Sequence, residues 1–237
     1  MQQQLLLLPL IVALAAATAT TPDKCGTFSS CLGFTNATGW RVIEAPGLAA
    51  FPVPCDGQTP GAGSGWTVMQ RRVDGSVRFQ RSWAAYRAGF GDLQADYFIG
   101  LEALHRLTTH QPHELYIFME NFKNKQAYAR YDNFVVASES EGYKLLELGM
   151  YVGTAGDDFS LNKGMKFSTM DKDNDVYWQN CALESQGGWW HKNCTSVNLN
   201  GEYFDSQLDE YKGIRWWSWN DNETLKSVKM LIRPKAK

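Results

Sequence analysis

Residues Met170–Cys194 read MDKDNDVYWQNCALESQGGWWHKNC. Three aspartates at alternate positions, Asp171, Asp173 and Asp175, run into Cys181 and Cys194 with Gly187-Gly188-Trp189-Trp190 between the cysteines. Carboxylates two residues apart suit a hard, oxygen-seeking cation such as calcium when the backbone between them turns. The same residues suit a solvated turn, because Asp and Asn bond to their own backbone. Spacing alone leaves both readings open, but it excludes an EF-hand. Counted from Asp171, the sixth position is Val176, where glycine must make the turn, and the twelfth is Ala182, where a bidentate Glu is required. Counted from Asp173, the twelfth is Glu184 but the sixth is Trp178.

This stretch lies inside a run from Gly153 to Asn222 without clear helical or strand periodicity, which is long for a compact domain and typical of functional or stapled segments. Six of the nine tryptophans fall within it, so it must bury aromatic surface while lacking regular elements of its own. Upstream the pattern is regular. Gly65–Arg72, GWTVMQRR, alternates Trp66, Val68 and Gln70 with Thr67 and Met69, as expected of a strand near a sheet edge. Trp83, Tyr86 and Phe90 recur at helical spacing with Gly89 and Gly91 as stops, and Leu101, Leu104 and Leu107 mark a second helix. Glu114–Phe122, ELYIFMENF, is apolar on both faces and reads as a central strand. Further strands are expected over 126–137, 143–152 and 227–233. The fold class is therefore α+β. Trp66, Trp83 and Trp219 read as core, His191 as a loop residue at a pocket rim, and Tyr211 equally as a pocket wall or as packing.

The chain of 237 residues opens with an apolar run, Leu5–Ala17, and a small-x-small pattern that suits signal-peptidase cleavage after Ala19. About 218 residues then remain, read as one domain in a soluble, secreted, extracellular product. Net charge is −2 with scattered basic residues, which argues against a nucleic-acid footprint or a polybasic membrane patch. Five cysteines in a secreted chain imply two disulfides and one left over. Cys181 and Cys194 are the obvious pair, and spacing does not choose the partner of Cys55 between Cys25 and Cys31. Asn36 and Asn222 head N-glycosylation acceptors. No Gly-x-Ser-x-Gly elbow, His-Glu-x-x-His or phosphate loop occurs, and the acids cluster on one turn instead of flanking a cleft, so an enzyme is not expected.

GWTVMQRRVDGSVRFQRSWAAYRAGFGD from Gly65, YFIGLEALHRLT from Tyr97, GMKFSTMDKDND from Gly164, NCALESQGGWWHKNC from Asn180 and NLNGEYF from Asn198 together resemble the fibrinogen-related domain of fibrinogen C-terminal regions, ficolins, tachylectins, angiopoietins and microfibril-associated glycoproteins. The resemblance covers residues 30–234, after a signal peptide at 1–19 and a short segment at 20–29. It implies a twisted, mostly antiparallel central sheet, a few short helices and a long irregular subdomain for calcium and ligand. It also implies disulfides Cys31–Cys55 and Cys181–Cys194, leaving Cys25 either free or available for a bridge to another copy. Calcium would be held by the side chains of Asp173 and Asp175 and the carbonyls of Tyr177 and Gln179, with Asp171 a neighbour. The peptide Asn193–Cys194 would be cis, as is common in the family. A ligand pocket beside the calcium is expected to involve Ser185, Trp190, Asn193, Cys194, Thr195, Tyr211 and Lys212, with Trp189, Trp216 and Trp217 as further apolar walls.

Members that bind acetylated sugars resemble one another in having His after the second cysteine of that pair, where Thr195 stands here, and a related one has Tyr where Ser185 stands. Fibrinogen's pocket grips a cationic peptide knob with acids, and Ser185 and Lys212 occupy two of those acidic positions here. An ammonium opposite a cationic ligand repels it, so a clotting role is not expected. The expected function is a secreted, calcium-dependent lectin of innate immunity that binds acetylated or other surface glycans. The alternative is a protein-binding signalling or matrix module.

Overall fold

The computed structural model describes residues 28–34, 38–194, 196–221 and 223–235. The expected signal peptide, Cys25, Asn36, Thr195 and Asn222 lie outside the described residues. Among the described residues the main sheet contains β1 (Gly39–Ile43), β2 (Phe51–Asp56), β3 (Trp66–Arg72), β4 (Phe90–Gly91), β5 (Tyr97–Phe98), β6 (His113–Asn121), β7 (Gln126–Tyr131), β10 (Tyr151–Gly153) and β13 (Leu225–Pro234). A hairpin of β8 (Phe134–Val136) and β9 (Leu145–Leu148) and a pair of β11 (Val197–Asn198) and β12 (Arg215–Trp216) stand apart from it. The helices are α1 (Trp83–Ala88), α2 (Leu101–His110), α3 (Cys181–Glu184) and α4 (Trp217–Asn220).

The sheet order is β1-β2-β3-β13-β6-β7-β10, antiparallel throughout. The last regular strand is thus inserted at the centre, between β3 and β6. As the two-faced apolar pattern predicts, β6 is central, with Leu115, Ile117 and Met119 fully buried. β3 is not near an edge. It pairs with β13 on one side, and with β2 and then β5 on the other. Its polar end is buried because partners far along the chain satisfy it. Gln70 Nε2 donates to Leu199 O at 2.7 Å and to Asn200 Oδ1 at 3.2 Å, and Arg72 Nη1 donates to Gly201 O at 2.7 Å. The expected strands over 126–137 and 143–152 are each broken in two, where Asp132 and Gly149 make the turns.

α1 starts where Ser82 accepts from the Ala85 amide and stops at Gly89, whose φ of 88° a side chain would resist. There an added Cβ would meet Ile99 O at 2.6 Å. Phe90 has left the helix and pairs with Phe98 in the sheet. Leu101, Leu104 and Leu107 of α2 are buried in one core cluster with the sheet.

The irregular segment holds its shape through asparagines. Asn162, Asn174, Asn180, Asn198 and Asn200 donate their side-chain amides to the carbonyls of Trp190, Phe167, Thr169, Ser185 and Gly188, at 2.7–3.0 Å. Buried carbonyls left without a ladder would be costly, and these amides replace it. Trp189, Trp190 and Trp216 are fully buried under this frame, with the Trp190 indole donating to Tyr143 O and that of Trp216 to Ala155 O. The Gly187-Gly188 pair is needed for close approach: a Cβ would fall 2.2 Å from Asn200 O at Gly187 and 2.6 Å from the Tyr86 ring at Gly188.

Candidate functional site

The acidic loop is built by its own side chains. Asp171 Oδ1 accepts from the Thr169 hydroxyl at 2.7 Å and from the Trp83 amide at 2.8 Å, which fastens the loop to the start of α1. Lys172 places its ammonium 3.8 Å from the Trp83 ring centroid. Asp171 is therefore engaged in tying the loop to α1. Asp173 Oδ1 accepts from the Asp175 amide at 3.1 Å. The two oxygens of Asp175 accept from the amides of Tyr177 at 2.8 Å and Cys181 at 2.9 Å, bracketing residues 177–181.

Asp175 is pushed above the ordinary carboxylate range by burial and by the nearby Asp173, partly offset by those two amides. Among the described residues neither carboxylate has a basic partner, and the carbonyls of Tyr177 and Gln179 accept no hydrogen bond. Two crowded carboxylates with spare lone pairs and two uncommitted carbonyls are a donor set that fits a hard cation.

The second staple is the disulfide Cys181–Cys194, and Cys31–Cys55 ties the short 3-10 helix Cys31–Gly33 to β2. Asn180 caps α3 by accepting from the Leu183 amide, which sets the first cysteine at the helix start. No peptide among the described residues is cis, so the expected cis bond at Asn193–Cys194 is not found. Cys194 adopts a left-handed backbone conformation, with φ of 36°.

Between the two loops lies an open cleft of about 340 Å³ lined by Tyr177, Gln179, Glu184, Asn193, Cys194 and Tyr211. Larger clefts exist elsewhere, but this one adjoins both the acidic loop and the disulfide. Tyr211 is both wall and packing. Its hydroxyl is 3.5 Å from Cys194 O, and the guanidinium of Arg215 lies 4.1 Å from its ring centroid.

Three expected pocket residues are elsewhere. Ser185 is buried, with its carbonyl taken by Asn198. Trp190 is walled into the aromatic core against Phe134 and Phe167. Lys212 is exposed and outside the cleft, its carbonyl accepting from the Glu202 amide. Trp189 and Trp216 are likewise core, and the half-exposed Trp217 is not in the lining. His191 is fully buried instead of at the rim. Its Nε2 pairs with Gly187 O at 3.0 Å, and burial lowers its pKa to about 4, so it is neutral near pH 7. Glu184 was missed as a pocket residue. It lies three residues after Cys181 on α3, a spacing that puts it on the same helix face as the disulfide.

A model of the C-terminal globular domain of fibrinogen beta and gamma chains matches residues 25–235. The chain belongs to the fibrinogen C-terminal domain family. Human fibrinogen C domain-containing protein 1 is 45% identical over 193 residues, covering 78% of this chain and 41% of that protein. This family member thus spans less than half the length of that relative. Fibrinogen-like protein A of Apostichopus parvimensis is 39% identical over 214 residues, covering 87% of this chain and 73% of that protein. Among solved structures, the fibrinogen-like globe domain of human ANGPTL6 superposes with a TM-score of 0.85 at 36% identity, covering 93% of this chain and all of that one. Lamprey fibrin D-dimer complexed with the peptide Gly-His-Arg-Pro-amide gives a TM-score of 0.82 at 30% identity, covering 94% and 80%. No helix of the described residues is long and apolar enough to cross a membrane.

Proposed function

We propose that this protein is a secreted, calcium-dependent recognition module, and not an enzyme, whose cleft binds acetylated or other surface glycans in innate immunity. Calcium would sit on the carboxylates of Asp173 and Asp175 and the carbonyls of Tyr177 and Gln179, and its charge would neutralise the acid pair. The observation that carries the reading is the cleft lining. The rings of Tyr177 and Tyr211 offer apolar faces, while Gln179, Asn193 and Glu184 offer hydrogen-bond partners, the mixture that a sugar with one apolar face and a rim of hydroxyls needs. A shallow open cleft implies weak binding per site, so avidity through clustered copies, for instance through Cys25, is expected.

A second reading is a protein or peptide partner, favoured by the Glu184 carboxylate in the cleft and by the peptide-bound lamprey relative of the same fold. Passing the mature protein over acetylated and unacetylated resin, each with calcium or a chelator, separates the two. Acetyl-selective, calcium-dependent retention eluted by N-acetylglucosamine supports the glycan reading. No retention by a protein that calcium still stabilises refutes it in favour of the partner reading.

A further inference from the structure

We propose that Trp178 is a stacking platform for a second sugar ring, so that the site reads an extended glycan chain and not a lone terminal residue; this rests on the glycan reading above. Exposed apolar residues scattered singly are ordinary on protein surfaces, so exposure alone carries no weight. The position of Trp178 does. It is 78% exposed, the most open large hydrophobic side chain among the described residues. Its two chain neighbours, Tyr177 and Gln179, both line the cleft. Its ring centroid lies 5.6 Å from that of Tyr177, the planes inclined at 55°. The aromatic surface therefore continues from the cleft wall directly onto the surface beside it, by a step comparable with the distance between successive rings of an oligosaccharide.

The backbone that carries the ring is also held. The carboxylate of Asp175 takes the amides of Tyr177 and Cys181, on either side of Trp178. The Val176 amide donates to Lys192 O at 3.2 Å, and the Asn180 side chain ties the far end of the loop to Thr169 O at 3.0 Å. With the backbone already ordered, only the two side-chain torsions of the tryptophan remain to be fixed on binding, which is what makes aromatics good anchors. A pyranose ring presents an apolar face of C–H groups, which covers an indole as another flat ring does, and its hydroxyls stay in water at the rim. Glu184 and Asn193, in the same cleft, supply partners for the first ring, so the chain is gripped at one unit and stacked at the next.

The test titrates the full, calcium-loaded chain with N-acetylglucosamine and with its β1,4-linked dimer and trimer, by calorimetry, for the parent protein, W178A and W178F. The expected result is an affinity gain of about tenfold from monomer to trimer in the parent, equivalent to about 1.4 kcal/mol. W178A is expected to bind the monomer as the parent does but to lose the gain, and W178F to keep part of it. A gain undiminished in W178A, or monomer binding with no gain in the parent, overturns the platform and leaves the cleft reading standing. Binding of none of these saccharides by the parent overturns the acetylated-glycan reading of the cleft, and the platform with it. A far-ultraviolet spectrum of W178A matching the parent confirms that the fold is unchanged, as expected for so exposed a side chain.

Discussion

Asp96→Asn removes one charge from a fully buried ion pair while leaving an oxygen of similar shape. Arg72 Nε lies 3.4 Å from Asp96 Oδ2, with both side chains at 1% exposure or less. Asp96 Oδ1 also accepts from the amides of Val73 at 2.6 Å and Asp74 at 3.3 Å, bonds that Asn can keep through its carbonyl oxygen. The substitution therefore isolates the guanidinium more than it breaks the turn. Leaving a buried charge without its partner costs roughly 3–5 kcal/mol. The carbonyls of Gly201 and Leu199 and the Phe79 ring, 3.9 Å from the guanidinium, still hold Arg72 and place the cost near the lower end, about 3 kcal/mol. For a chain of this size that corresponds to a fall in Tm of roughly 6–12 °C. Arg72→Met in the same background removes the stranded charge and should recover most of the loss. Urea unfolding of oxidised, calcium-saturated protein, followed by tryptophan fluorescence, measures D96N, R72M and R72M/D96N. If D96N lies within about 1 kcal/mol of the parent, or if R72M/D96N is as unstable as the two single losses summed, the buried pair is not the coupled unit described.

Opening Cys181–Cys194 with a Cys→Ala pair should cost about 3 kcal/mol, from the chain entropy of a closed loop of that length, and a denaturation curve checks it. His113 is buried, its pKa lowered to about 4, so the unfolded chain binds the extra proton between pH 6.5 and 4. Stability conferred by neutral His113 is present above pH 6.5 and should fall by roughly 3 kcal/mol as pH drops through 4; His113→Gln should flatten that part of the stability–pH curve. If calcium binds at the acidic loop, a hundredfold excess over its dissociation constant adds about 2.7 kcal/mol to the parent and nothing to D173N/D175N, readable as a calcium-dependent Tm.

Regular elements were legible where the burial pattern is local. ELYIFMENF shows its central position because side chains on both of its faces are covered, and Ser82 and Gly89 mark the two ends of α1. GWTVMQRR misled because Gln70 and Arg72 look like edge residues, while the carbonyls that satisfy them come from 127–130 positions away. No window along the chain contains that information. Within the site, Asn193, Cys194 and Tyr211 come together in one cleft because a disulfide fixes one wall and Tyr211 reaches Cys194 across it. Ser185, Trp190 and His191 were misplaced because residues adjacent in sequence to a pocket alternate between its surface and its floor, and the buried asparagines decide which. The cis peptide at Asn193–Cys194 was implied by the family resemblance alone, and no residue at that position dictates it.

The asparagine frame divides labour within the irregular half. The side chains that fix its shape, at 162, 174, 180, 198 and 200, bond to internal carbonyls, while those that line the cleft, at 177, 179, 184, 193 and 211, take no part in that frame. A rung of a sheet tolerates almost any residue, but an asparagine rung does not: Asn→Asp would set an acceptor against a carbonyl and leave both unsatisfied. The result is a rigid socket with an exchangeable face, so repertoire can be varied at the lining without refolding the domain, and a library restricted to those five lining positions is the natural starting point for giving this scaffold a new specificity.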